Sequence, residues 1–167
     1  MSALVNLADN SAVYEVAKVS ALSIAPQLSK RFNNRIYLKR EDDQVIHSFK
    51  LRGAYQKMSS MSDAQKSKGV IASSAGNHAQ GVALGASKLK IKAIIVMPTS
   101  TPNIKVQAVE QLGAEVILHG DVYDDAFHHA KKLEAEHDLC FISPYDDFEV
   151  IAGQATVAKE ILSQLEK

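Results

Sequence analysis

Two short stretches hold residues able to do chemistry together: "HSFKLRGA", His47 to Ala54, and "SSAGNHAQG", Ser73 to Gly81. Lys50 falls in the first turn of an expected helix, where the positive end of the helix dipole disfavours an ammonium. A partly buried lysine in such a place has a lowered pKa and can act as a Schiff-base nucleophile or a proton carrier. An ordinary surface lysine is the commoner case, and these residues alone leave that reading ahead. Lys39, Arg40 and Arg52 add positive field around Lys50, while Glu41, Asp42 and Asp43 offset it.

The second stretch follows an expected strand and opens an expected helix, the place where open α/β sheets bind ligands. Ser73, Ser74, Ala75 and Gly76 are small enough for a ligand to approach the backbone. Unpaired amides at the helix start favour an anion such as a carboxylate. A plain strand-to-helix turn, in which Ser74 or Asn77 only caps the helix, fits the spacing equally well.

The elements that must position these residues are legible as a rhythm. Apolar runs stand at Arg35 to Lys39, Gly69 to Ser73, Lys92 to Met97, Ala114 to Leu118 and Leu139 to Ser143. From the second onward they begin about 23 residues apart, the repeat of strand–helix units in a parallel sheet. The fold class is therefore α/β, an open parallel sheet with helices on both faces. The unbroken apolar character of "AIIVM" suits a strand covered on both sides.

Helices are expected from Phe49 to Ser59 with Ser48 as cap, from Asn77 to Lys88, from Pro102 to Leu112 with Thr101 as cap and Gly113 as stop, from Asp121 to His137, and from Phe148 to Leu165. The last carries Ile151, Ala155, Ala158, Ile161, Leu162 and Leu165 at helical spacing, which reads as its apolar face. No strand follows it. An α/β unit normally feeds its helix into a further strand, so the sheet is expected to be incomplete at Lys167.

Composition narrows the partners. The 167 residues carry 19 basic and 19 acidic side chains, which leaves no electrostatic footprint for nucleic acid or an acidic membrane surface. The longest apolar run is far below the roughly 20 residues of a membrane-spanning helix. The N-terminal residues lack the pattern of a signal peptide, and the single cysteine, Cys140, sits in what reads as a buried strand, so a reducing, cytoplasmic setting is expected. Phosphate-loop, dinucleotide and zinc signatures do not occur. His128 and His129 point about 100° apart on a helix and cannot grip one ion together, so no metal is expected there.

"YLKREDDQVIHSFKLRGAY", "SSAGNHAQGVA", "VMPTSTPNIKVQAVEQLGAEVILHG" and "VIAGQATVAKEI", in this order and spacing, resemble the biosynthetic threonine dehydratases, a pyridoxal 5'-phosphate family of fold type II. The likeness runs from about Val13 to Leu165. It implies that Lys50 is the lysine carrying the cofactor, that Phe49 packs against the cofactor ring, and that Asn77 hydrogen-bonds the 3′-oxygen of pyridoxal phosphate. Ser74, Ala75, Gly76 and His78 would then belong to the loop for the substrate carboxylate.

The implied reaction is β-elimination. Threonine loses its β-hydroxyl as water and its nitrogen as ammonia to give 2-oxobutanoate; serine gives pyruvate. The related serine racemases place a serine hydroxyl where this chain has Ala75, and a methyl group cannot exchange a proton, so the resemblance leans to a lyase. A serine dehydratase or racemase relative, and a non-catalytic relative acting by association, are the alternatives.

The resemblance also implies a division into a small α/β domain, residues 42–140, and a partial large domain, residues 1–41 and 141–167. The family's glycine-rich phosphate loop and regulatory domain are not in this sequence, so the chain alone is expected to hold the cofactor weakly. It is also expected to associate, either as a homo-oligomer or with the missing C-terminal part. Val19 to Ser23, usually Thr-Pro-Leu in the family, and Ala155, usually glycine, depart from the pattern.

Overall fold

The computed structural model describes residues 2–165. Its first part is an arm: helix α1 (Ser2–Asp9), a 3-10 turn at Ala12–Glu15, strand β1 (Leu22–Ile24), helix α2 (Pro26–Phe32) and strand β2 (Tyr37–Lys39). The β1 and β2 strands pair antiparallel, Leu22 opposite Lys39 and Ile24 opposite Tyr37. The expected strand at Arg35 to Lys39 is therefore real but stands apart from the main sheet, and its partner β1, Leu22–Ile24, is only three residues long, too short for a strand pattern in the sequence.

The main body runs α3 (Lys50–Ser59), α4 (Asp63–Lys68), β3 (Val70–Ser73), α5 (Asn77–Leu89), β4 (Ala93–Met97), α6 (Asn103–Glu110), β5 (Glu115–Leu118), α7 (Tyr123–His137), β6 (Cys140–Phe141) and α8 (Phe148–Leu165). Its four strands are all parallel in the order β5-β4-β3-β6. Alternation along the strands sorts the core. Val70, Ala72, Ile95 and Met97 pack with Met58, Val82 and Ala86 on one face, while Ile71, Ile94 and Val96 pack with Ala126 and Ala130 of α7 on the other. Both faces are covered, as parallel strands require.

Several boundaries shift for local reasons. Helix α3 starts at Lys50, with Phe49 at the cap position and no side-chain cap; Ser48 Oγ still accepts a hydrogen bond from the Lys50 amide at 3.2 Å. Helix α6 starts at Asn103 rather than Pro102, because Thr101 closes a turn onto the Pro98 carbonyl. Helix α7 starts at Tyr123, and the Asp125 carboxylate reaches back to the amides of Asp121 and Val122. Gly113 ends its helix with φ at +93°, a conformation that glycine adopts without a Cβ penalty. Helix α4 was legible in principle: Ser62 and Gln65 form a capping box.

Two expectations are corrected. Helix α8 has the expected bounds but the opposite orientation: Val150, Ala152, Gly153, Thr156 and Glu160 are buried, while Ile151, Ala158, Leu162 and Leu165 are exposed. The buried face is small and polar because α8 lies against α3 at very short range. Cys140 lies in a two-residue edge strand and is half-buried, so its strand is less enclosed than "DLCFIS" suggests.

Candidate active site

The strand order fixes where a ligand can go. From β3 the chain proceeds outward through β4 and β5, then returns to place β6 on the other side of β3. Connections leaving β3 and β6 therefore run apart at the carboxyl ends of these strands, and such a reversal opens a crevice in α/β sheets. The loop Ser74–Gly76 follows β3, and the segment Ile142–Pro144 follows β6.

Lys50 comes to this crevice from α3. Its Nζ donates a 2.7 Å hydrogen bond to the Pro144 carbonyl oxygen and lies 5.6 Å from the Phe49 ring centroid. The side chain is half-buried, and that burial holds its pKa below the ordinary lysine value. The discomfort expected of an ammonium at a helix start is thus partly answered by a carbonyl and an aromatic face, and partly left in place.

His78, in the first turn of α5, ends on the same segment. One ring nitrogen, Nε2, lies 2.9 Å from the Ile142 carbonyl oxygen, to which it donates when protonated. The residue is 4 % exposed. Burial drives its pKa down to about 4, opposed by the Ile142 hydrogen bond and assisted by the positive charge of Lys50. The neutral imidazole carries its proton on Nε2, which leaves Nδ1 as a buried acceptor without a partner. Ser73 Oγ, fully buried at the end of β3, is likewise unpartnered.

The structure brings Lys50 and His78 onto one three-residue segment, with Ser74, Ala75 and Gly76 half-buried in the loop that leads to His78. Ser74 Oγ accepts from the Gly76 amide at 3.2 Å, so it turns the loop rather than capping α5. Gly76 is the cap residue, and no side chain caps the helix. A Cβ at Gly76 would meet nothing within 4 Å, so there is room directly before the free amides. Asn77 is exposed at the first helical position. Phe49 lies in a shallow surface depression with Gln154, Val157, Ala158 and Ile161.

Three observations fit an anionic carbonyl cofactor: an amine of lowered pKa, an uncapped helix start with open space before it, and two orphaned buried polar atoms, Ser73 Oγ at the end of β3 and His78 Nδ1 in the first turn of α5. Residues 18–167 match the family described as pyridoxal-phosphate dependent enzyme. The chain belongs to the pyridoxal-phosphate dependent enzymes.

Within that family it is 59 % identical over 152 residues to the chloroplastic biosynthetic threonine dehydratase of Arabidopsis thaliana, covering 91 % of this chain and 26 % of that protein. The structure of processed threonine deaminase isoform 2 from Solanum lycopersicum superposes with a TM-score of 0.95 at 48 % identity, over 99 % of this chain and 46 % of that one. Maize serine racemase superposes with a TM-score of 0.92 at 28 % identity, over 99 % and 50 %. The chain thus spans roughly a quarter to a third of the curated relatives it matches, as the 26 % and 32 % coverages of two of them show. No described helix is long and apolar enough to cross a membrane.

Some participants had no sequence signature. The Pro144 and Ile142 carbonyls are main-chain groups, which any residue supplies. Gly81 and Gly85, four apart on α5, did offer a signal of close helix approach that went unused. His129, read as a solvated helix edge, stacks on His119 with ring centroids 3.9 Å apart.

Proposed function

We propose that this chain carries the reactive lysine and part of the substrate loop of a pyridoxal-phosphate dependent lyase that dehydrates and deaminates L-threonine. The observation supporting this most directly is the convergence of Lys50 Nζ and the His78 ring on the carbonyls of Pro144 and Ile142, beside the uncapped start of α5. The names of the Arabidopsis and tomato relatives supply threonine as the substrate.

In this reading Lys50 would hold the cofactor through its amine, and the same amine, kept partly neutral by burial, would take the α-proton of the substrate. The cofactor, when bound, supplies the electron sink that allows a carbon–hydrogen bond next to the amine to break. Phe49 and Asn77, both exposed, would help to hold the cofactor, Phe49 against its ring and Asn77 at its 3′-oxygen. Ser74, Ala75, Gly76 and the amides at the start of α5 hold the substrate carboxylate. His78 stays neutral, so it adds no charge beside the carboxylate and leaves Nδ1 free to accept one hydrogen bond. Residues 42–140 form the small domain, and residues 1–41 and 141–167 contribute to the large one.

The 167 residues alone hold the cofactor weakly, because no glycine-rich phosphate loop is in this sequence. Titration with pyridoxal phosphate tests the reading: an absorbance near the visible edge should appear in the wild type and vanish in Lys50→Ala. No Lys50-dependent absorbance at any cofactor concentration would sink it. Identifying keto acids from threonine and serine, with the complementary half of the fold added in trans, decides the substrate.

A further inference from the structure

Arg52 is the largest fully buried side chain among the described residues, and burying a guanidinium is expensive unless every donor is met. Here every donor is met. Nε and Nη2 form a fork on Glu41, both at 2.8 Å; Nη1 donates to Glu160 at 2.7 Å and to Thr156 Oγ1 at 3.0 Å; Nη2 also donates to the Lys18 carbonyl at 3.2 Å. Lys39 Nζ lies 2.7 Å from the second Glu160 oxygen, so the cluster holds two cations and two carboxylates. The partners come from the arm, the turn after β2 and helix α8.

A leucine would fill the same space at less cost, and attraction alone would be met by a lysine. What only a planar five-donor fork supplies is a fixed orientation. Arg52 is the third residue of α3, two after Lys50, in a first turn whose cap residue, Phe49, makes no capping hydrogen bond. The same turn is clamped by backbone on two sides. A Cβ on Gly153 of α8 would stand 2.6 Å from the Arg52 carbonyl oxygen, and one on Gly81 of α5 would stand 3.0 Å from that of Lys50.

We propose that Arg52 is a positioning residue for the Lys50 amine: its five hydrogen bonds fix the rotation of the first turn of α3, and with it the direction in which Lys50 leaves the helix toward Pro144. The inference rests on the reading of Lys50 as the reacting amine. Arg52 touches neither cofactor nor substrate and acts only through the helix it holds.

Arg52→Lys tests this, since it keeps the charge but replaces a five-donor plane with a rotatable three-donor point. The readout is the pH profile of Lys50 acetylation by trace acetic anhydride in the intact chain without cofactor, followed by peptide mass spectrometry, with Lys57 and Lys66 as internal references. In Arg52→Lys the Lys50 midpoint should rise by half a pH unit or more, cutting its neutral fraction at pH 8 about threefold. The reference lysines should not move. Tyr55→Phe, which removes a hydrogen bond from Tyr55 to Glu15 one turn further along α3, serves as a destabilised control whose Lys50 profile overlays the wild type.

An unchanged Lys50 midpoint in folded Arg52→Lys overturns the inference, as does an equal shift in Tyr55→Phe. Should Arg52→Lys fail to fold, Thr156→Val removes one of the five acceptors and leaves all charges; a rise of the Lys50 midpoint supports the inference and no rise overturns it. The cofactor titration is separate. A midpoint that follows Arg52 without any Lys50-dependent absorbance would leave the positioning role standing and remove the lyase reading, and the reverse pattern would do the opposite.

Discussion

The backbone of Lys50 lies directly against Gly81: a Cβ on that glycine would stand 3.0 Å from the Lys50 carbonyl oxygen and 3.1 Å from its carbon. Helix α5 thus begins just after the Ser74–Gly76 loop and, one turn later, presses on the residue whose amine bonds to the Pro144 carbonyl. On the other side, Gly153 brings α8 closer still: a Cβ there would stand 2.6 Å from the Arg52 oxygen and 2.7 Å from the Gly53 Cα.

These clamps give the first prediction. Alanine normally gains about 1 kcal/mol over glycine inside a helix. Here the added methyl meets backbone that cannot swing away, and overpacking costs about 1 to 3 kcal/mol. Gly81→Ala should be mildly destabilised and Gly153→Ala clearly so in urea unfolding. A Gly153→Ala chain as stable as the wild type contradicts the packing of α3 on α8.

The buried carboxylates give the second. Burial alone would raise the pKa of Glu160, but hydrogen bonds from Arg52 and Lys39 together with the Arg52 charge outweigh it and hold the carboxyl below its ordinary 4.5. A carboxyl with a depressed folded value stabilises above its unfolded value and loses that contribution as pH falls through the folded one. Wild-type stability should therefore drop on acidification below about pH 4.5. Glu160→Gln should cost about 3 to 5 kcal/mol at pH 7, because two buried cations lose a charge partner. Its unfolding midpoint should approach that of the wild type in acid; parallel pH curves for the two proteins would count against the network.

His78 acts in a different window. Its folded value, pushed from 6.5 to about 4, means that the unfolded chain takes up a proton first as pH falls. Stability should decline between about pH 6.5 and pH 4, by up to about 3 kcal/mol. His78→Gln keeps a donor for the Ile142 carbonyl and does not titrate, so its stability should fall less steeply than that of the wild type across that interval, keeping only the carboxylate contribution at the acid end. A slope unchanged by this substitution would mean that His78 is not buried neutral.

The outer face of α8 yields the fourth. Ile151, Leu162 and Leu165 are 41 %, 64 % and 53 % exposed on one helix, and Val5 of α1 lies beside Leu162 in the same groove, 52 % exposed. Apolar surface of this kind favours association. Size-exclusion chromatography with light scattering should show a mass that rises with concentration, and Leu162→Lys should reduce that rise. A strict monomer at high concentration refutes this prediction.

The strand rhythm placed four parallel strands correctly, because a sheet covered on both faces needs unbroken apolar runs at a regular interval. Helix α8 was bounded correctly but turned the wrong way. Its sequence offered a larger apolar stripe at Ile151, Ile161 and Leu162 than the face that is buried, where Gly153 allows close approach and Thr156 and Glu160 meet Arg52. Periodicity reports where apolar residues lie, and here the tightest packing uses the smallest and most polar ones.

The residue types themselves determined that a lysine at a helix start and a small-residue loop before another helix could form one site. They also determined the family, since the motifs carrying the resemblance are local. That Lys50 and His78 meet was decided only by the tertiary structure. Lys50 and its acceptor Pro144 are 94 residues apart, His78 and Ile142 are 64 apart, and both acceptors are main-chain carbonyls. A carbonyl has no side-chain signature, and its place beside a lysine is set by the return of β6 to the far side of β3.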